Sequence, residues 1–190
     1  MKIITKFILI LIVTLFSVTA YLSLVGIETE KLNNQITKKI KQIDKNLDIE
    51  LNKIKIIFNP LEFRFTVKTI GPKLKNNNKI IEIENIKSQL SLRSLIENKF
   101  SIENLEISTK SIKVKNLISF TRSFKNTPEL FILEKIIKKG YLIADIKLEF
   151  DKEGKIKDNY KISGFIKDTK LSISNEYKIE KIDFIFVYKK

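Results

Sequence analysis

The chain contains no cysteine and no histidine. Without cysteine there is no disulfide, thiolate nucleophile or cysteine zinc site to consider, although its absence says nothing about compartment. Without histidine, the commonest general base and metal ligand is missing. Arginine is almost as scarce, limited to Arg64, Arg93 and Arg122, so the net charge of +14 rests on lysine. Base readers and phosphate forks lean on arginine, and no RNP, zinc-finger or helix-turn-helix pattern is present. Nucleic acid is therefore not an expected partner. The lysines read as a solvated face, with anionic lipid headgroups as a second use for those near a membrane. Abundant Lys, Ile and Asn fit the codon bias of an AT-rich genome. No Ser-His pair, glycine-rich phosphate loop or metal cluster occurs. Carboxylates such as Asp145, Glu149, Asp151 and Glu153 fall on polar strand faces or turns, where solvation is their default role. The expectation is a non-enzyme with no catalytic, cofactor-binding or metal-binding residues.

What the chain does have is one long apolar run. Phe7 to Ile27 is 21 residues without a charge. As a helix rising 1.5 Å per residue, this covers roughly 30 Å, the thickness of a bilayer's hydrocarbon core. Lys2 and Lys6 precede it, and Glu28 and Glu30 follow it. The positive-inside rule then puts the N-terminus in the cytoplasm and the bulk of the chain across the membrane. A cleavable signal peptide is the alternative, with Val18-Thr19-Ala20 at the cleavage site. The run's continuation through Tyr21, Leu22, Leu24 and Val25 favours an uncleaved anchor over residues 1–27.

Residues 28–46 are expected to form an amphipathic linker helix, because Leu32, Ile36, Ile40, Ile43 and Leu47 make one stripe. That stripe fits the edge of a sheet or a membrane surface; it brings no Trp or Phe to insert into lipid. Residues 47–190 then read as one β-rich domain. Leu47, Ile49 and Leu51 alternate, and Ile54, Ile56 and Phe58 resume one residue out of phase, which implies a bulge or tight turn at Asn52-Lys53. After Pro60 come Leu61, Phe63, Phe65 and Val67. A turn at Gly71-Pro72 and Asn76-Asn77-Asn78 leads to Ile81, Ile83, Ile86, Leu90 and Leu92. Leu92 to Lys99 reads as a short helical turn, and strands resume over Phe100–Ile107 and Ile112–Val114.

Residues 116–140 break the alternation and are expected to be a helical insertion. Leu117, Ile118, Phe120 and Phe124 fit one helical face. Thr127-Pro128-Glu129 opens a second helix, and Lys138-Lys139-Gly140 should close it. Leu142 to Phe150 then alternates, Asp151 to Gly154 makes a hairpin turn, and Tyr160 to Ile166, Leu171 and Ile173 follow. Ile182, Phe184, Phe186 and Tyr188 form the last strand, which is apolar at Ile185 and Val187 too. Such a strand wants cover on both faces. It is expected to pair with a partner protein or with a continuation of the chain, as in a truncated or minimal form of something longer.

The order anchor, linking helix, strands, then strand–L-x-x-L-I–strand–strand resembles the N-terminal region of AsmA-like proteins, the group that includes TamB and YhdP. It is carried by Ile81 to Ile83, by Leu90-Ser91-Leu92-Arg93-Ser94-Leu95-Ile96-Glu97-Asn98-Lys99, and by Ile102, Leu105, Ile107, Ile112 and Val114. Tyr160 to Ser174 and Lys181 to Tyr188 resemble the repeating sheet of that group. Asn98 stands where a glycine is common, and Thr109-Lys110 replaces a frequent Asn-Pro.

The resemblance implies a mainly β (α+β) fold: a bacterial inner-membrane anchor carrying a curved, largely antiparallel periplasmic β-groove with a helical insertion. It also implies a role in phospholipid transport or envelope assembly, with acyl chains as the ligand. The groove lining is assigned to Phe63, Phe65, Ile81, Ile83, Ile102, Ile107, Ile112, Val114, Ile146, Leu148, Phe150, Ile162, Leu171, Ile173, Phe184 and Phe186. Alternation fits an open groove and a closed core equally well. About eight strands at roughly 4.8 Å each make a surface on the order of 40 Å, too short to join two separate membranes. A second layout, a single-span scaffold that binds a partner of an export machine as LptC-type components do, fits the length but has no counterpart to residues 116–140.

Overall fold

The computed structural model describes residues 2–91, 102–151, 155–174 and 176–190. It is an apolar N-terminal helix followed by an open, curved, mainly antiparallel sheet. The expected turns at Leu92–Lys99 and Asp151–Gly154 lie outside the described residues or reach beyond them.

Helix α1 (Lys2–Leu24) is long and apolar enough, over Ile3–Leu24, to cross a membrane, and none of that window is buried in protein. Its side chains stay exposed from Ile3 to Val18, whereas Thr19, Ala20, Leu22 and Ser23 are partly covered. The chain then turns at Gly26 and enters β1 (Ile27–Thr29), which pairs with β3 (Ile54–Asn59). Gly26 sits at φ +75°, and an added Cβ would lie 2.6 Å from the Ile56 carbonyl oxygen. The joint between helix and sheet therefore requires glycine.

The linker helix is shorter than its apolar stripe suggested. The first residues after α1 are drawn into strand pairing, and α2 spans only Asn33–Ile43. It packs on β2 (Leu47–Glu50), with the Asn33 side chain donating to the Leu51 and Asn52 carbonyls at 3.4 and 3.2 Å. The phase shift at Asn52-Lys53 is neither a bulge nor a hairpin. It is where the chain leaves one ladder for another: β2 pairs with β5 (Lys73–Asn76), while β3 pairs with β1 and β4 (Arg64–Ile70).

Strand β6 (Lys79–Ser91) belongs to both ladders, meeting β5 with its first four residues and β4 with Asn85–Ser91. The sheet continues through β7 (Ile102–Thr109), β9 (Ile137–Glu149), β10 (Lys161–Ser172) and β11 (Lys178–Lys189), in the order β1-β3-β4-β6-β7-β9-β10-β11. The two-residue β8 (Ile112–Lys113) takes over from β7 beside β9. At that handover the Thr109 hydroxyl accepts from the Ala144 N–H at 2.8 Å, closing the gap in the ladder.

The helical insertion is present as α3 (Val114–Arg122) and α4 (Pro128–Ile136). Thr127 caps α4, its hydroxyl accepting from the Leu130 N–H. Arg122 pairs with Glu134 across the two helices and lies over the Phe131 ring. Two expectations are corrected. Val114 is the first residue of α3 rather than a strand residue, and Gly140 lies inside β9 rather than ending a helix. The chain turns extended at Ile137 and runs directly into the strand, so Lys138-Lys139-Gly140 never cap anything.

Helix α3 joins two buried clusters. Ile81, Ile83, Ile112 and Phe120 form one, and Val114, Ile118, Leu142 and Ala144 form the other. Burying side chains of this size contributes about 1.5–3 kcal/mol each, so most of the core sits at this end of the sheet, with Ile49, Ile54 and Leu90 buried outside these clusters.

Candidate functional site

Directly paired residues of an antiparallel ladder share a face, so the register shows which side chains lie together. One row reads Phe58–Phe65–Leu90–Ile102. The next reads Ile27–Ile56–Val67–Ser88–Leu105–Leu148. A third crosses the whole sheet: Thr29–Ile54–Thr69–Ile86–Ile107–Ile146–Ile162–Tyr188. Shorter rows, Ala144–Gly164–Phe186 and Ile112–Leu142–Ile166–Phe184, complete it. One face is thus apolar from β1 to β11, across about 34 Å at about 4.8 Å per strand gap.

The opposite face is polar over most of its area. Glu106 lies between Lys87 and Lys147 at 3.5 and 3.3 Å, and Arg64 reaches Glu103 at 3.4 Å. These pairs are solvated and each contributes little to stability, but they oppose a register slip that would turn charge toward the apolar side.

Among the described residues, the apolar face is covered by helices at one end and is mostly half-buried at the other. Helices α3 and α4, with the β2–β5 ladder, cover the end marked by Ile83, Ile112, Leu142 and Ala144. Toward the other end Ile56, Phe58, Phe65, Val67, Leu105, Ile146, Leu148 and Ile162 are half-buried and Tyr188 is exposed, whereas Ile54, Thr69, Ser88 and Leu90 in the same rows are buried. Tyr160 and Tyr188 stack at 5.8 Å on this open side, and the hydrogen bond between them holds the Tyr160 phenol above its ordinary pKa. The floor narrows at Gly164, where an added Cβ would stand 2.6 Å from both the Phe186 ring and the Ile143 carbonyl oxygen.

Of the sequence-assigned lining, Phe65, Ile102, Ile107, Ile112, Ile146, Leu148, Ile162, Phe184 and Phe186 fall in these rows. Leu171 lies opposite Ile137 at the helix-covered end. Ile81 and Ile83 are core residues under α3, as is Val114 from within the helix. Phe150 lies just past β9, bridged to Ile156, and Ile173 lies past β10 and is exposed. Phe63 is not on a strand: it sits in the turn after β3 at φ +50° and is 66% exposed. Ile56, Phe58, Val67, Leu90, Leu105, Leu142, Ala144, Gly164 and Ile166 belong to the face but were not assigned to it. Their alternation was visible; their shared side needed the cross-strand register.

In comparisons with known proteins, no family model matches the chain, nor does any curated protein or solved structure.

Proposed function

We propose that this chain is a membrane-anchored apolar trough of AsmA-like type, which takes lipid acyl chains from the membrane holding α1 and passes them along the sheet. One observation carries this reading: among the described residues, the apolar face is mostly half-buried at the end where α1 joins and is covered by helices at the other. Strand β1 runs away from the helix, so β3, paired antiparallel to it, runs back past the helix's last turns toward its Phe58–Asn59 end. Half of a hydrocarbon core is about 15 Å deep, so an open face about 34 Å across has room for an acyl chain, with the headgroup left in water. The charges flanking α1 support a cytoplasmic N-terminus and a periplasmic sheet at the inner membrane of a bacterium. The trough performs no bond chemistry on this reading, needs no cofactor and binds no nucleic acid.

A surface of this span does not reach a second membrane, so the lipid must be handed on. Strand β11 pairs only with β10 among the described residues, and Ile185 and Val187 stay exposed on it. This favours a protein partner at that edge, and it is also the observation behind a second reading: an anchored scaffold whose edge binds a component of an export machine, without lipid.

Native mass spectrometry with lipid extraction on the detergent-purified full chain separates the two. Trough function predicts co-purified phospholipid at defined stoichiometry, lost in a folded Ile146→Asp variant. Lipid bound equally by both proteins, or by neither, would sink it; a stable partner without lipid would favour the scaffold.

A further inference from the structure

We infer that the β3–β4 hairpin is a membrane wedge, its tip at residues 60–63 entering the interfacial layer of the same bilayer that α1 spans. Lys6 and Glu28 bound the uncharged run, which as a helix roughly matches the 30 Å hydrocarbon core. Yet protein begins to cover α1 at Thr19, five residues before the helix ends at Leu24 and so about 8 Å back along it. Part of the sheet domain therefore lies level with the outer part of the span.

The register identifies that part. Ile56 is level with Ile27, and β3 continues to Asn59, roughly 10 Å further toward the membrane at about 3.3 Å per residue, before the chain turns. That run of β3 is long enough to cover the last turns of α1. Two of the tip's side chains, on either side of the exposed Glu62, have the matching chemistry: Leu61 is 93% exposed and Phe63 66% exposed, and the rings of Phe58 and Phe65 stand behind them, 6.4 and 5.0 Å apart in the pairs Phe58–Phe63 and Phe58–Phe65. Exposed Leu and Phe beside a membrane helix are what an interfacial insertion uses, and Phe58 and Phe65 connect the tip to the first row of the apolar face.

The wedge rests on α1 spanning a bilayer and not on what the trough carries. The chain has no cysteine, so Leu61→Cys and Ile70→Cys each give a single thiol. Ile70 is the control, similarly apolar and 64% exposed but at the opposite end of β4. Both variants of the full chain, labelled with an environment-sensitive fluorophore, are reconstituted into vesicles of phosphatidylethanolamine and phosphatidylglycerol. The wedge predicts that lipid-borne nitroxide quenches the Leu61→Cys probe several-fold more than the Ile70→Cys probe, with aqueous iodide showing the reverse. Equal iodide access at both sites, in chain that resists carbonate extraction, overturns the wedge and leaves the trough untouched. Chain released by carbonate overturns wedge and anchor together.

Discussion

Gly164 offers a test of the sheet's packing in which the sign of the effect decides. In most strand interiors, replacing glycine by alanine stabilises, by about 0.5–1 kcal/mol, because glycine loses more backbone freedom on folding. At Gly164 φ gives no reason for glycine, but space does. The new Cβ would stand 2.6 Å from the Ile143 carbonyl oxygen and 2.6 and 2.9 Å from two carbons of the Phe186 ring. The ring can swing aside at the edge strand; the carbonyl belongs to the β9–β10 ladder and moves only if the ladder distorts. Overpacking of this kind costs about 1–3 kcal/mol. With a urea slope of about 2 kcal/mol/M, Gly164→Ala should lower the unfolding midpoint by roughly 1 M. The assay is urea titration of the full chain in detergent, followed by circular dichroism of the sheet. Adding Phe186→Leu should recover part of the loss, since it relieves the ring contact and leaves the carbonyl contact. A midpoint equal to or above that of the native chain would refute the packing of β9, β10 and β11 described above.

The difference between the helix-covered core and the edge strand makes a second prediction: Phe120→Ala, in the cluster under α3, should cost about 3–5 kcal/mol, whereas Phe184→Ala, exposed on β11, should cost about 1 kcal/mol or less. Equal losses in the same urea titration would mean that β11 is covered as well. A third concerns Glu50, whose carboxyl is held below the ordinary value of 4.5 by the Lys75 hydrogen bond at 2.5 Å and then by the Lys73 charge. A depressed folded value means its contribution is complete above the unfolded value and fades as pH falls through the folded one; a carboxyl titration by NMR with a midpoint at or above 4.5 would contradict the contact.

The elements were legible where one physical signal dominated. The uncharged run before Glu28 gave α1 through its length, and Thr127-Pro128 gave the start of α4 through a cap and a proline that fits only a first turn. The failures have equally specific causes. Lys138-Lys139-Gly140 has the composition of a helix end, but β9 begins at Ile137, and Gly140 serves instead as the close approach inside the strand, where Thr169 Oγ1 would stand 2.9 Å from an added Cβ. Phe63 fits the alternation of Phe65 and Val67, yet the turn after Pro60 consumes it. The candidate face was half legible for a deeper reason. Alternation states that one side of each strand is apolar but not which strands are neighbours. Ile54, Ile56 and Phe58 joined the face only through β1 and β4, and the one-residue phase shift that separates them from Ile49 looked like a local defect when it marks a change of ladder.

An apolar face left partly open would ordinarily collapse or aggregate, so its survival here needs a cause. The closed end supplies one. Ile83, Ile112, Leu142 and Ala144 are fixed under α3, and β6 and β9, which carry three of these residues, run on without a break to the buried Leu90 and to the half-buried Ile146 and Leu148. A slip of one residue in the half-buried rows would have to propagate into the buried clusters and would turn Lys87, Glu106 and Lys147 onto the apolar side, so these rows keep their register although most of their side chains are only half-buried. Stability and vacancy are thereby assigned to opposite ends of the same strands. If the open end is the one that meets the bilayer, as the run of β3 along α1 supports, the surface that water would penalise is the surface that lipid would cover. Removing α3's contacts should then harm folding and lipid binding together, whereas a charge at Ile146 should harm lipid binding alone.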